Sequence, residues 1–592
     1  MSFFFEKYLF LFHVKHFRVI LYKNGNFLHN NHKIRNNIDE NKERDKKMKP
    51  FSYLKKFTIF SQPETETNFK IPEKEYQTLY DVRNETIPFV PEISTDIQKN
   101  MLYIKKRFSV PENNDVVIRK IHLKDERRCF LIFYDGMVNT DAVNEGIIKT
   151  LQELPLLDKD FKDSIEKIPS YIIEKFVSHA QAQLAEKFED IIEEVNFGSC
   201  GLFVDGLDVG FILDVRSWEH RSIDRPQTEQ SIYGPQEAFS EMLRTNSALV
   251  RKILKTEKLI CEGVKIGKVS LTRGVILYLE DVANSDLVKE VRYRINSISI
   301  DYCISSEEVA MLIEEKSYLP SNQILLTERP DRVAKALTEG RVALILNGNP
   351  HALIFPTNIC ELIYSASDSY LRAPYANFTM LIRLIAMEIS VLLPAFYLAV
   401  TLFHQEMIPT FLLYAISASR ENVPFPSVVE LLLMDIAFEM IREAGIRMPN
   451  PIGSTLGIVG GLILGQAAVT AKIVSPIMII VIALTGLGSF ATADYSLSWT
   501  NRILRIYFII LASILGFYGV AIGIFIYAVT LANQNSFGIP FLSPFIKGQK
   551  TSKKSVFIPP IWKKEHKPEY LSPKKDKEQE KISMKWRKKK KK

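Results

Sequence analysis

Hydrophobic residues are unevenly distributed along the chain. From about residue 65 to 375, short aliphatic runs alternate with charged stretches of helical spacing, whereas five or six long apolar segments crowd into residues 381–532. Short runs bounded by turn residues are typical of strands, and apolar segments of about 20 residues are typical of membrane-spanning helices. The pattern therefore predicts an α+β soluble N-terminal domain followed by an α-helical multi-pass membrane domain.

Asp-Gly steps mark two turns in the soluble part, residues 65–375. Residues 129–138 predict a strand that ends at the first step, and residues 201–215 predict a hairpin around Asp205-Gly206. The other predictions from spacing are helices over 141–154, 172–195 and 236–254, and a strand over 275–282.

One part of this region is repeated. Gly198–Asp214 aligns without gaps on Gly340–Pro356, so that Asp205-Gly206 matches Asn347-Gly348, and both segments follow a charged helical stretch. We therefore expect two related lobes. The alternative is that any two hairpins built on such turns share this much similarity.

The predicted membrane domain covers residues 376–545, and Leu381–Phe403 is its first segment of spanning length. The segments that follow it are Met407–Ser419, which is too short to span alone, Val428–Ala444, Thr455–Val469, Ile473–Phe490 and Ile503–Ala532. Glycines every four residues form a row that would let a neighbouring helix approach closely, either as a mobile contact or as ordinary packing. This row is Gly453, Gly457, Gly461 and Gly465.

Acidic residues inside the membrane domain are candidates for an ion path. On Val428–Ala444, Asp435, Glu439 and Glu443 share one helix face, and carboxylates on one face are too costly to point at lipid. A cation path fits this pattern, and so does an interfacial helix whose acids lie among the head groups. The remaining candidates for the path or its gate are Glu388, Glu430, Arg442 (paired with Glu439) and Gln466, and for Glu388 and Gln466 a hydrogen bond between helices explains the polar residue equally well.

The net charge of +8 comes from the two ends of the chain. Residues 1–60 contain 13 Lys or Arg against 5 acidic residues, and residues 547–592 contain 18 against 5, so the body is acidic and nucleic acid is not an expected partner. We assign 1–64 to a basic extension, either disordered or translated from an upstream start, and 546–592 to a lysine-rich tail. The positive-inside rule puts this tail on the cytoplasmic side, and six crossings would put the soluble domain there too.

The crossing number stays open, because Arg502 and Arg505 would then lie on the opposite side, so that five crossings or a re-entrant segment also fits. Catalytic motifs, paired metal-ligand spacings and cofactor-binding glycine motifs are absent from the sequence, so neither an enzyme nor a cofactor is expected. The five cysteines stand far apart, which favours buried, reduced thiols.

Residues 424–490, which include REAGIRMPNPIGSTLGIVGGLILGQAAV, carry a specific resemblance. Together with RAPYANFTMLIRLI (372–385) and residues 224–254, they resemble the A subunit of the nutrient germinant receptors of bacterial endospores, the GerA family. The resemblance covers roughly residues 130–545. One departure is Tyr233-Gly234-Pro235, where the family usually has Arg-Gly-Pro.

The resemblance implies a multi-pass protein of the spore inner membrane, with its soluble domain and tail on the core side. It implies two partners, a transporter-like B subunit and a lipoprotein C subunit, in addition to membrane lipids and further copies of the chain. It also implies an oligomeric, nutrient-gated cation channel that triggers germination. A paralogue that assists dipicolinate release is the nearest alternative, and a secondary transporter, for which residues 381–532 show no repeated halves, is the more distant one.

Overall fold

A computed structural model describes most of the chain beyond the basic N-terminal extension. The residues described are 92–123, 127–153, 168–176, 181–217, 225–447, 465–545 and 557–579. The predicted extension over residues 1–64 lies outside them, as do most of the glycine row and the terminal lysines.

The first lobe, residues 92–217, is built on a five-stranded antiparallel sheet. Its strands are β1 (Val116–His122), β2 (Arg128–Tyr134), β3 (Gln181–Ala185), β4 (Cys200–Val204) and β5 (Gly210–Asp214), in the order β1-β2-β4-β5-β3. Its helices are α1 (Ile97–Arg107), α2 (Lys149–Glu153) after a π-helical stretch Ala142–Ile148, α3 (Ile168–Phe176) and α4 (Phe188–Asn196). Strands β2 and β4 are almost wholly buried, because apolar clusters cover both faces of the sheet.

The second lobe, residues 238–363, contains a second antiparallel sheet. Its strands are β6 (Leu259–Ile266), β7 (Thr272–Leu279), β8 (Leu325–Thr327), β9 (Val342–Leu346) and β10 (Ala352–Phe355), in the order β6-β7-β9-β10-β8. Its helices are α5 (Leu243–Ile253), α6 (Ser285–Asn296), α7 (Ser306–Ile313), α8 (Pro330–Glu339) and α9 (Ile359–Ile363).

The two sheets have the same strand order, and the repeated segments of the sequence occupy equivalent positions in them. Hairpin β4-β5 turns at Gly206 and hairpin β9-β10 turns at Gly348, both with positive φ. Each hairpin follows a helix, α4 or α8, and its second strand pairs with the edge strand β3 or β8. The repeat detected in the sequence thus has a topological counterpart.

The prediction of one long helix over 172–195 is wrong. Strand β3 lies within that range and pairs antiparallel with β5, from Gln181 opposite Asp214 to Ala185 opposite Gly210. The local spacing is that of a helix, but the edge of the sheet offers the backbone a complete ladder of hydrogen bonds, and this distant partner cannot be seen in the segment itself. Similarly, α5 begins at Leu243, later than the predicted 236.

A fully buried arginine connects the two lobes. Arg251 on α5 donates from Nη2 to Asp115 Oδ1 (2.7 Å) and Asn113 Oδ1 (2.9 Å) in the first lobe, and to Leu259 O (2.9 Å) in the second. Its guanidinium also lies 4.0 Å from the centre of the Tyr134 ring. Since breaking a buried charge pair costs several kcal/mol, about 3–5, this residue fixes the lobes against one another.

The C-terminal region is helical. Its helices are α10 (Ala373–Phe403), α11 (Thr410–Arg420), α12 (Ser427–Arg447), α13 (Pro476–Phe490), α14 (Tyr495–Leu515) and α15 (Phe517–Ala532). Among the described residues, α10 is the one helix long and apolar enough to cross a membrane by itself, with a mean hydropathy of 1.9, and α13 and α15 are shorter apolar helices.

The predicted single segment Ile503–Ala532 is two helices. The chain reverses at Gly516, whose φ of +57° and ψ of −137° suit glycine. A Cβ on Gly519 would lie 2.1 Å from the carbonyl oxygen of Leu511, and one on Gly523 would lie 2.7 Å from the ring of Phe508. These glycines therefore let α15 fold back tightly on α14, which hydrophobicity alone cannot reveal.

The chain after α15 returns to the second lobe. Strands β11 (Asn535–Ser536) and β12 (Ile539–Pro540) lie there, and Ser536 Oγ donates to Gln323 O (2.6 Å). Farther on, the buried Tyr570 hydroxyl accepts from Arg341 Nη2 and Asn358 Nδ2, each at 3.0 Å. Burial raises the pKa of this phenol, so that it stays neutral.

Candidate functional site

The acidic face of α12 meets arginines from α14. Arg505 has no exposed surface, and its Nη2 lies 3.0 Å from Asp435 Oδ1 and 2.6 Å from Glu439 Oε1. Arg502, one turn earlier, lies 3.6 Å from Glu439 Oε2. Two residues that conflicted with the expected orientation are therefore the partners of the acids on α12.

A third guanidinium closes the cluster. Arg442 Nη1 lies 3.7 Å from Glu439, and its Nη2 donates to the hydroxyl of Ser489 at the end of α13. The rings of Phe438 and Phe490 flank this guanidinium, with the Phe490 centroid at 4.4 Å. The predicted pairing of Arg442 with Glu439 is present, although Glu439 is shared among three arginines.

The charge balance of this cluster favours cohesion between helices. Asp435 and Glu439 bring two negative charges against the three positive charges of Arg442, Arg502 and Arg505, so the group as a whole repels a further cation. Buried charges are tolerated only when they are paired in this way.

Glu443 stands at the edge of the cluster. It is half-exposed and forms an i,i+4 ion pair with Arg447, at 2.8 Å. A shallow depression of about 300 Å³ lies here, between α12 and α14. It is lined by Glu439, Glu443, Trp499, Arg502, Ile503, Arg505 and Ile506.

Glu430 lies at the opposite end of α12 and is fully buried. Its Oε1 accepts from the Ser475 hydroxyl (2.6 Å) and from the Ser475 backbone N–H. Ser475 in turn is the N-cap of α13, and its hydroxyl accepts from Met478 N. Glu430 therefore fastens the start of α13 to the start of α12, with Arg420 Nε at 3.9 Å as its nearest positive charge.

Glu388 differs from the other acidic candidates. It is exposed on α10, on a face that also exposes Leu381 and Ile385. No residue in the described part of the chain bonds to its carboxylate. Gln466 is exposed as well, in the short helical stretch 465–470.

The glycine row is described only at its end. Gly453, Gly457 and Gly461 lie outside the described residues, and Gly465 is buried with Ile479 as its nearest contact, 3.8 Å from an added Cβ. The tightest contact of this kind to α10 lies at Gly488 of α13, where an added Cβ would be 2.5 Å from Ala386 O.

The sequence did not assign Arg502 and Arg505 to the site, and it did not predict that the tail returns to the second lobe. Arg502 and Arg505 stand three apart on an otherwise uncharged helix, and Asp435 and Glu439 stand four apart on α12. These two spacings are the signal that could have identified the pairing. The Tyr233-Gly234-Pro235 step packs Gly234 against the ring of Tyr370, while Arg329 Nη2 donates to Pro235 O (2.8 Å) and Tyr233 stays exposed.

Within the described residues, no cluster of three or more His, Cys, Asp or Glu side chains is arranged to hold a metal ion. All five cysteines are described and buried, and none of them forms a disulfide bond. Burial raises the pKa of the Cys360 thiol to about 12, so it is not a nucleophile at neutral pH.

Comparison with known proteins identifies relatives that each cover about four fifths of this chain. Spore germination protein KA of Bacillus subtilis (strain 168) is 37% identical over 483 residues, 81% of this chain and 87% of that protein. Spore germination protein GerLA of Bacillus cereus is 34% identical over 81% of this chain and 97% of its own length. The uncharacterized membrane protein YfkQ of Bacillus subtilis is 33% identical over 81% of this chain and 91% of its own length.

A solved structure also matches. The crystal structure of the N-terminal domain of the A subunit of the Bacillus megaterium spore germinant receptor GerK3 is 27% identical, covers 45% of this chain and 96% of its own, and gives a TM-score of 0.34. The family described as Bacillus/Clostridium GerA spore germination protein matches residues 102–570, farther toward the C-terminus than the resemblance in the sequence suggested. This chain therefore belongs to the GerA family of spore germination proteins.

Proposed function

We propose that this chain is the A subunit of a nutrient germinant receptor in the spore inner membrane. Family membership over residues 102–570 carries this proposal, and relatives named spore germination proteins support it. The receptor would contain a transporter-like B subunit that holds the nutrient and a lipoprotein C subunit. Its two lobes and its tail would lie on the core side of the membrane.

Six membrane passages fit the contacts of the helical region. The first half of α10 contacts the second lobe, since Arg383 Nη1 donates to Ile363 O (3.1 Å), whereas the end of α10 meets the Gly516 turn on the opposite side. Helices α10 and α14 thus run away from the lobe. Helices α12, α13 and α15 run toward it, since α12 and α13 start at the Glu430–Ser475 contact and α15 ends beside the second lobe.

Because α10 begins and α15 ends beside the second lobe, an even number of passages fits these contacts, and six is the number that we propose. An even number keeps the soluble domain and the tail on one side. The buried ion pairs of Arg502 and Arg505 remove the objection to this orientation, because these residues are part of the protein interior and not of a flanking loop.

Glu388, the exposed acidic candidate on α10, best supports a function as an oligomeric cation channel. A carboxylate facing lipid in the middle of a spanning helix costs several kcal/mol, about 3 on an insertion scale, so Glu388 requires water or a second copy of the chain beside it. A ring of Glu388 side chains would attract cations. In this proposal Asp435, Glu439 and Glu430 hold the helices together, and Glu388 borders the ion path.

The test uses spores that lack this gene. Their release of potassium and dipicolinate is measured with each of a panel of single nutrients. Loss of response to some nutrients and not to others is the expected result. A uniform delay with every nutrient would instead indicate a protein that assists dipicolinate release. Unchanged release with every nutrient, in a strain that also lacks the other receptors of this family, would contradict both.

A further inference from the structure

The segment Phe557–Lys563, hereafter the anchor segment, is fixed to the first turns of α10. Ile558 N donates to the side-chain oxygen of Asn377 (2.8 Å), and Asn377 Nδ2 donates back to Ile558 O (3.0 Å). Asn377 is the fifth residue of α10, the helix that is long and apolar enough to span a membrane. The anchor segment is therefore held at the depth at which α10 enters the membrane.

The anchor segment exposes large apolar side chains there. Phe557, Ile561 and Trp562 are 57%, 73% and 48% exposed, and Lys563 beside them is exposed too. Such a set is unusual at the surface of a protein in water, where exposed apolar residues are scattered singly. A partner of matching character must cover it.

The neighbouring helix ends show the same composition. Tyr375 and Phe378 are 63% and 62% exposed in the first turns of α10, and Tyr495 and Trp499 are exposed in the first turns of α14. Both helices start at the second lobe. Tyr and Trp concentrate where a membrane meets water, because their rings prefer the head-group layer and their polar atoms remain hydrated.

The described part of the tail after the anchor segment, residues 564–579, is fastened to the second lobe. Leu571 is fully buried, Lys564 pairs with Glu339 at 3.3 Å, and Lys574 N donates to Val282 O (2.9 Å). The described part of the tail thus runs from the start of α10 to the second lobe.

We infer that the anchor segment is an interfacial membrane anchor. Phe557, Ile561 and Trp562 insert between the lipid head groups beside α10, and Lys563 contacts anionic head groups. Lys563 is followed by a terminal stretch rich in lysine, which complements the charge of such lipids and argues against a cationic protein surface as the occupant. Because the tail continues to Tyr570, which is hydrogen-bonded to Arg341 and Asn358 of the second lobe, this contact also holds the lobe at a fixed distance from the membrane. The inference rests on the proposed membrane location, but not on channel activity.

The test uses fluorescence of the full chain in lipid nanodiscs that contain an anionic phospholipid. Trp218, Trp499 and Trp586 are replaced by Phe, so that Trp562 is the remaining tryptophan. We expect bromine atoms placed on the acyl chain near the head group to quench Trp562 more strongly than bromine atoms near the chain end. Acrylamide in the water should quench it weakly.

Two control variants with the tryptophan at other positions distinguish failure of the anchor from failure of the membrane location. In a chain without other tryptophans, His566→Trp places the probe four residues along the tail, on the lobe, where acrylamide alone should quench it. Phe396→Trp places it on an exposed position of α10 between Glu388 and the end of that helix, where bromine on the acyl chains should quench it. If Phe396→Trp is not quenched by lipid, the membrane location itself fails.

Quenching of Phe396→Trp by lipid but of Trp562 by acrylamide alone would overturn the anchor. Protection of Trp562 from both quenchers would show that a protein surface covers the segment, and this would overturn it as well. A blue-shifted Trp562 emission that responds to shallow bromine supports the inference.

Discussion

Arg505 of α14 lies 3.0 Å from Asp435 of α12, with neither side chain more than marginally exposed. The pair joins two helices that are separated by 70 residues in sequence and lie in the most apolar part of the chain. The first consequence is mechanical, because charges in this position hold one helix against the other. The second consequence is electrostatic. The charges of Asp435 and Glu439 are already neutralised by arginines, so these two acids do not attract a further cation.

Replacement of Arg505 by Met should destabilise the helical region by about 3–5 kcal/mol, since it leaves Asp435 and part of the charge of Glu439 buried without a partner. The measurement is the unfolding of the purified full chain in detergent, together with its abundance in membranes. Arg447→Met is the matched control, because that arginine forms an exposed pair with Glu443, and exposed pairs contribute about 0–1 kcal/mol.

The double variant Arg505→Met/Asp435→Leu gives the sharper result. If the pair is chiefly cohesive, removing both charges should restore part of the lost stability, because a buried pair can be replaced by apolar residues of similar volume. Losses that simply add would show that the two residues act independently.

The tight turn of α14 and α15 predicts a second effect. Gly519→Ala should cost about 1–3 kcal/mol, because the added Cβ would meet the Leu511 carbonyl oxygen, a backbone atom that cannot move aside without shifting α14. Gly465→Ala is the matched control, since its added Cβ would meet Ile479 at an ordinary 3.8 Å. Unfolding of both proteins in detergent measures the difference, and equal stability would show that the hairpin relaxes freely.

The parts of the fold that could be predicted from sequence are those specified by local chemistry. Asp205-Gly206 and Asn347-Gly348 identify their hairpins because a tight turn between strands needs positive φ, and glycine adopts it at no steric cost. Strand β3 was missed because its partner β5 is distant in sequence. The break at Gly516 was missed because an apolar helix and an apolar helical hairpin have the same hydrophobic pattern.

In the candidate site, too, some features could be predicted from a single segment and others depend on residues distant in sequence. The shared face of Asp435 and Glu439 follows from helical spacing and is predictable from the segment alone. Whether water, a cation or an arginine occupies that face depends on α14, and spacing on α12 contains no information about it. Pairing with Arg505 therefore distinguishes Asp435 and Glu439 from Glu388, which the sequence had grouped with them.

The stability of the second lobe against unfolding is expected to depend on pH. His351 lies 3.3 Å from both Glu328 and Glu307, and the hydrogen bond with Glu328 raises the pKa of the imidazole above its usual 6.5. Burial alone would raise the pKa of Glu328, but hydrogen bonds from His351, Thr228 and Gln227 lower it to about 2. The charged pair is thus maintained in mildly acidic solution.

The sign of the effect follows from these directions. The stabilisation by protonated His351 is complete below the unfolded pKa of about 6.5 and is lost as the pH rises through the higher folded value. That of Glu328 is complete above about 4.3 and is lost as the pH falls through 2. The excess stability of the wild type over His351→Gln should therefore be largest at about pH 5–6 and shrink in alkaline solution. Thermal unfolding across that range measures it, and parallel curves for the two proteins would contradict the assignment.

The last prediction concerns Glu388, which is exposed on α10 and forms no hydrogen bond or ion pair with a described residue. If it borders a cation path, Glu388→Gln should slow nutrient-triggered potassium release by about tenfold, because acidic side chains in a pore raise the local cation concentration. Glu388→Asp keeps the charge and should retain most of the rate. Glu443→Gln is the control, since it removes another exposed carboxylate, one that belongs to a surface pair. Potassium release from spores with equal amounts of each protein distinguishes the roles. Equal slowing by Gln and Asp would indicate a packing contact at this position, and normal release with Gln would remove Glu388 from the path.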